Sequence, residues 1–179
     1  MKHAIRHVAV AASLVLAACG TQESPPAATQ PGESQPAVDS NAPVVSQSTI
    51  AEYMMPGDAV ESGNCALDAI NGVAPDAATI ATGSTIVFGG WMSDASKQVP
   101  KNASLVLKGA QASYYAALSS GVERPDVAAS LGSDALRTSG FNLSTVLQNV
   151  SPGNYELLVV YTGATPVFCS FNKGLTVTG

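Results

Sequence analysis

The stretch Ser84-Thr85-Ile86-Val87-Phe88-Gly89-Gly90-Trp91 is rich in β-branched and aromatic residues and bounded by glycine, the signature of a β-strand. Working outward from it, Ala103–Gly109 has the same character and Ala112–Ala117 is suited to pair beside it. Tyr155-Glu156-Leu157-Leu158-Val159-Val160-Tyr161 is started by the turn Pro152-Gly153-Asn154, and Pro166–Phe171 and Leu175–Thr178 close the chain. Ser139–Leu143 returns to extended structure, with Phe141 and Leu143 on one side. Six or more short strands separated by Gly, Pro and Asn turns predict an all-β domain, a two-sheet β-sandwich.

One segment breaks the pattern. In Arg124-Pro125-Asp126-Val127-Ala128-Ala129-Ser130-Leu131-Gly132, proline suits the first helical turn and Asp126 favours its positive end. Val127 and Leu131 share a face, and Gly132 can terminate the helix. The spacing predicts one or two short helical turns over 125–137, expected to cross the open end of the sandwich and plug its core.

Cys65 and Cys169 are the two cysteines left if Cys19 is consumed by modification. An even pair in an exported chain reads as one disulfide joining the first and last parts of the domain. The alternative is two buried free thiols; zinc on these sulfurs would lack the usual histidine partners.

An ordered set of motifs adds to this reading. Cys65-Ala66-Leu67-Asp68-Ala69-Ile70-Asn71-Gly72, Gly90-Trp91-Met92-Ser93-Asp94, Arg124-Pro125-Asp126-Val127 with Gly140-Phe141, Pro152-Gly153-Asn154-Tyr155 and a late cysteine follow one another over most of residues 63–179. The set resembles an uncharacterised bacterial module of secreted or membrane-anchored proteins, also attached to surface-polysaccharide-related membrane proteins. The resemblance implies an immunoglobulin-like accessory fold and a cell-envelope setting, and carries over no catalytic residue.

The beginning of the chain sets the expected location. Lys2 and Arg6 precede the apolar run Val8–Ala18, the pattern of a signal peptide over residues 1–18. The run is shorter than the roughly 20 apolar residues that cross a bilayer. Leu16-Ala17-Ala18-Cys19 resembles the lipobox of bacterial lipoproteins, which implies a diacylglyceryl group on the Cys19 thiol, cleavage before it and acylation of the new amino terminus. A plain secretory peptide with a chance cysteine is the alternative. Several acyl chains, at about 0.8 kcal/mol per buried methylene, would hold the protein firmly to the membrane. Gly20 stands where inner-membrane lipoproteins commonly carry aspartate, so the outer membrane is the expected destination.

Residues 19–55 are then a lipidated terminus and tether, dominated up to about Ser48 by Pro, Ala, Ser and Gln with little to bury. Extended at about 3 Å per residue, it would lift the domain several tens of ångströms from the bilayer. The sandwich is expected over residues 56–179, although Tyr53, Met54 and Met55 are placed to pack on its edge and move that boundary earlier.

Chemistry is bounded by what the mature chain holds. Its histidines, His3 and His7, fall in the leader, so histidine triads, histidine-ligated metals and histidine proton shuttles are excluded. Ser-x-x-Lys, Gly-x-Ser-x-Gly, phosphate-loop and EF-hand patterns are missing too, and no metal or cofactor is expected. The net charge of -5, more negative still without Lys2 and Arg6, disfavours nucleic acid and direct adhesion to anionic lipid.

Trp91, Asp94, Arg124 and Asp126 are the candidate site residues, a ligand rim or a structural ion-pair cluster. Arg124 is expected to pair with Asp94 or Asp126 and pin the helix to the strand ends, or else to receive an anionic or sugar ligand. Trp91 reads as core packing or as a stacking platform, and Asp94 as a turn-capping carboxylate or, less naturally, a catalytic or calcium ligand. Tyr114 and Tyr115 should point to opposite faces.

Three functions are in play. The leading one is a non-enzymatic binding or assembly module held in the envelope for a protein or polysaccharide partner. A structural envelope lipoprotein without a discrete ligand would keep Trp91 and Arg124 for internal contacts. A glycan-active enzyme would need two of Asp94, Glu123 and Asp126 converging on a cleft.

Overall fold

The structure, a computed structural model, describes residues 45–76, 78–162 and 165–179. The expected leader, Cys19 and the tether up to residue 44 lie outside the described residues. The strands are β1 (Ser46–Gln47), β2 (Ile50–Tyr53), β3 (Val60–Glu61), β4 (Asn64–Ile70), β5 (Ala78–Ala81), β6 (Thr85–Ser93), β7 (Ala103–Gly109), β8 (Ser113–Leu118), β9 (Gly140–Val146), β10 (Gly153–Tyr161) and β11 (Val167–Thr178). Helix α1 (Pro125–Leu131) and a 3-10 turn (Asp134–Leu136) fall between β8 and β9.

One sheet has the order β1-β9-β6-β4; the other runs β2-β8-β7-β10-β11-β3, with β5 also parallel to β11. The chain passes from β6 to β7 and β8 in the second sheet, back to β9 beside β6, then to β10 beside β7. Such sheet-to-sheet crossings, with β4-β6-β9 facing β8-β7-β10-β11, make the two-sheet sandwich of immunoglobulin-like strand order.

Alternation along each strand builds the core. Ile86, Phe88 and Met92 of β6, Phe141 and Leu143 of β9, Leu105 and Leu107 of β7, and Leu157 and Val159 of β10 are all buried in one cluster. Burying each such side chain stabilises the fold by about 1.5–3 kcal/mol. Gly90 takes an inward position opposite Phe141; a Cβ there would strike the Ala66 carbonyl oxygen and come within 2.8 Å of Phe141 Cζ. Tyr114 is buried while Tyr115 is exposed on the other face, as their adjacency requires.

The Cys65–Cys169 disulfide links β4 of one sheet to β11 of the other, with Cα atoms 6.2 Å apart and a sequence separation of 104. A second fastening lies at the far end, where the Tyr155 hydroxyl near the start of β10 donates to the Ser151 carbonyl at 2.6 Å. This is the tyrosine corner of immunoglobulin-like sandwiches. Ser151 N–H in turn donates to the Tyr114 hydroxyl at 3.2 Å, and the two tyrosine rings meet edge to face.

The sandwich begins earlier than the expected residue 56. β2 pairs antiparallel with β8, and β1 pairs parallel with β9, so residues 46–53 belong to the sandwich. Between β2 on one edge of the larger sheet and β3 on the other, Met54–Ala59 crosses the sheet's outer face. Beneath this strap Val106, Leu158 and Val160 form a buried cluster with Tyr53, Met55 and Phe168. Those outward apolar residues of β7 and β10 are what the strap covers, and composition alone does not show that they need a cover.

Helix α1 forms over the expected residues and is ended by Gly132 in the left-handed conformation, φ 66°. It does not plug the core. Val127, Ala128 and Leu136 form their own cluster with Trp91, Val99 and Leu131, on the outward side of β6. The two closing strands are one: Phe171, Asn172 and Lys173 lie opposite the single residue Leu157, and Asn172 at φ 52° absorbs the bulge.

Candidate functional site

The four residues singled out from the sequence all serve the mounting of α1. Trp91 lies on the outer face of β6, opposite Gly140 of β9, and is half-buried beneath the helix. The missing Cβ at Gly140 matters here, because it would stand 2.8 Å from both Arg124 Cγ and the Val122 carbonyl oxygen. Arg124 therefore lies flat across the strand end.

Its guanidinium grips two carboxylates. Nε and Nη2 reach Asp126 at 3.0 and 2.8 Å, a bidentate bond within the helix's first turn. Nη1 donates to Asp68 Oδ2 at 2.5 Å. The expected pairing with Asp126 is present; the proposed partner Asp94 is elsewhere, and Asp68 takes the third contact. Asp68 reaches this place because the β4–β6 register shifts between Leu67 and Ala69, inserting one residue between two inward positions. The hydrogen bond from Arg124 holds the Asp126 carboxyl at about 2, and the same bond raises Arg124 further.

Asp94 fastens the other end of the helix indirectly. Its Oδ1 accepts from the backbone N–H groups of Ser96 and Gln98 at 2.9 and 2.8 Å, the turn-capping role. The turn it shapes brings Lys97 Nζ to 2.9 Å from the Leu131 carbonyl, a cation at the helix's negative end. Ser133 Oγ donates back to the Lys97 carbonyl at 3.0 Å. The sequence carries no signal for this role of Lys97, which adopts φ 57° in the turn that Asp94 shapes.

An open groove of about 260 Å³ lies beside this turn, lined by Ser62, Asp94, Lys101 and Tyr161 among others. The Tyr161 hydroxyl donates to the Ser62 carbonyl at 3.0 Å, and burial, followed by the nearby Asp94 charge, raises its pKa. Glu123 is exposed at the foot of the helix. Asp126 is bound up with Arg124 and Asp94 with its turn, so of the acids weighed for glycan cleavage these two are engaged in structural contacts. A general acid needs a raised pKa, whereas that of Asp126 is depressed.

No known protein family, curated protein or solved structure matches this chain.

Proposed function

We propose that this chain is a lipid-anchored envelope protein whose immunoglobulin-like sandwich presents a non-catalytic contact surface, centred on α1, to a protein or polysaccharide partner. The lipobox-like Leu16-Ala17-Ala18-Cys19 supports the anchor, and the polar tether supports reach beyond the bilayer. The observation that carries the contact surface is the mounting of α1. A seven-residue helix outside the main core is held by Arg124 at its start, by Lys97 at its end and by Trp91 underneath. So short a helix is marginal alone in water, and this many fastenings keep its outer residues, Ala129 and Ser130 among them, in one fixed arrangement.

Because Arg124 and Trp91 are both used internally, a purely structural envelope lipoprotein is the second reading. A photo-crosslinking residue at Ser130 of the lipidated chain, in its own membrane, separates the two. The binding module gives a discrete adduct from Ser130 and none from Thr85 at the start of β6; no discrete adduct from either position leaves the structural reading. Glycan cleavage that disappears in Asp126→Asn would overturn both.

A further inference from the structure

The N-terminal strands are attached differently from the rest of the sandwich. Among the described residues β1 and β2 pair only with β9 and β8, each at the edge of its sheet, so both can leave without breaking any other described strand pair. Ile50 packs against the main core, while Tyr53 and Met55 sit on the outer cluster. The strap that follows contains Pro56 and Gly57, carries Met54 at 91% exposure, and has Ala59 N–H to the Pro56 carbonyl as its internal backbone bond. The body behind it is closed independently by Cys65–Cys169.

We propose that residues 45–53 are an exchangeable clip and that two copies of this chain trade it, each clip pairing with β9 and β8 of the other copy. Reciprocal exchange preserves every strand pair and the seats of Ile50 and Tyr53, losing only the strap's Met55 contact, so it costs little beyond association itself. The strap is the hinge: fully extended, its six residues reach about 20 Å, enough to pass to an adjacent sandwich. Once it no longer crosses its own sheet, Val106, Leu158, Val160 and Phe168 of the two copies are buried against one another. A second copy fits this strip better than an unrelated partner because the clip already carries the pairing register and apolar anchors that the acceptor edge takes. The exchange depends on the sandwich and not on lipid, so its failure would leave the anchoring proposal standing.

Ala51 lies directly opposite Tyr115 in the β2–β8 pair, and both are exposed. Two full-length copies with different tags, one Ala51→Cys and one Tyr115→Cys, are co-expressed and the membranes run without reductant. Exchange predicts a covalent heterodimer at twice the monomer mass, and its loss when Ala51→Cys is paired with Thr85→Cys. The double variant Ala51→Cys/Tyr115→Cys in one chain must also be able to form the bond, within or between copies. A heterodimer no stronger than the Thr85 control, or none at all while the double variant closes within its own chain, overturns the proposal. A double variant that forms neither bond overturns it too, since β2 would then not lie on β8.

Discussion

Arg124 Nη1 stands 2.5 Å from Oδ2 of Asp68, a contact across 56 residues of sequence that ties the helix to the edge strand of the smaller sheet. Asp68 is available because a bulge in β4 gives that strand one more residue than β6 at this point. The helix mount thus depends on an irregularity in a strand as much as on the helix itself.

Arg124→Ala removes both carboxylate contacts and should lower stability by about 1–2 kcal/mol, with Asp68→Asn costing less than about 1 kcal/mol because that carboxylate is half-exposed. Urea unfolding gives the comparison. Trp91 is the single tryptophan and lies beneath the helix, so its fluorescence should also move to longer wavelength in Arg124→Ala. An unchanged spectrum would mean that the helix stays in place without the clamp.

The clamp should be insensitive to pH through the neutral range and fail in acid. The Asp126 carboxyl is lowered from 3.8 to about 2, first by its hydrogen bond from Arg124. A group held lower in the folded state contributes its stability above the unfolded value, 3.8, and loses it as pH falls from there through about 2. Carbon-detected NMR titration should find Asp126 back in the ordinary aspartate range in Arg124→Ala. A value still near 2 would assign the depression to another group.

Cys65→Ser with Cys169→Ser should cost roughly 2–5 kcal/mol, since the bond closes most of the domain into one loop and joins its two sheets. The denaturation midpoint should fall and the slope of the transition should rise, because opening the 104-residue loop lets the unfolded chain expand and expose more surface. A wild-type midpoint in the double variant would show that sheet packing holds the two strands without the bond.

A chain beginning at residue 60 lacks the clip and the strap, leaving Val106, Leu158, Val160 and the β8 edge uncovered. It should bind a hydrophobic dye and self-associate, because an unprotected edge beside an apolar face invites pairing. A chain beginning at residue 45 should leave the dye unbound and form nothing larger than the exchanged dimer. Equal behaviour would return residues 45–59 to the tether, where composition places most of them.

What the sequence made legible follows from how local each signal is. The strand over Ala103–Gly109 and the helix from Pro125 to Gly132 announce themselves through β-branched runs, a proline and a terminating glycine, and both lie where they were expected. Ile50–Tyr53 carries no such signal: it is a strand because β8 offers an edge, a fact made by the distant chain. The same holds for Ala78–Ala81, which is held by β11. Asp68 was hidden because a bulge is a property of the strand pair, and neither strand's composition reveals it. The outward Leu158 and Val160 look like ordinary members of a buried run until the strap above them is seen. For the site, Arg124 with Asp126 was readable because the residues are neighbours, whereas the role of Asp94 in presenting Lys97 to the helix end required the fold.

The proposed function places this sandwich at a membrane through lipid on Cys19, and mass spectrometry of the amino-terminal peptide from the native membrane fraction decides it. The prediction is a chain that starts at Cys19 and carries diacylglycerol on sulfur, with release into the aqueous fraction on Cys19→Ala. An unmodified first residue, with the wild-type protein recovered wholly in the aqueous fraction, would contradict it.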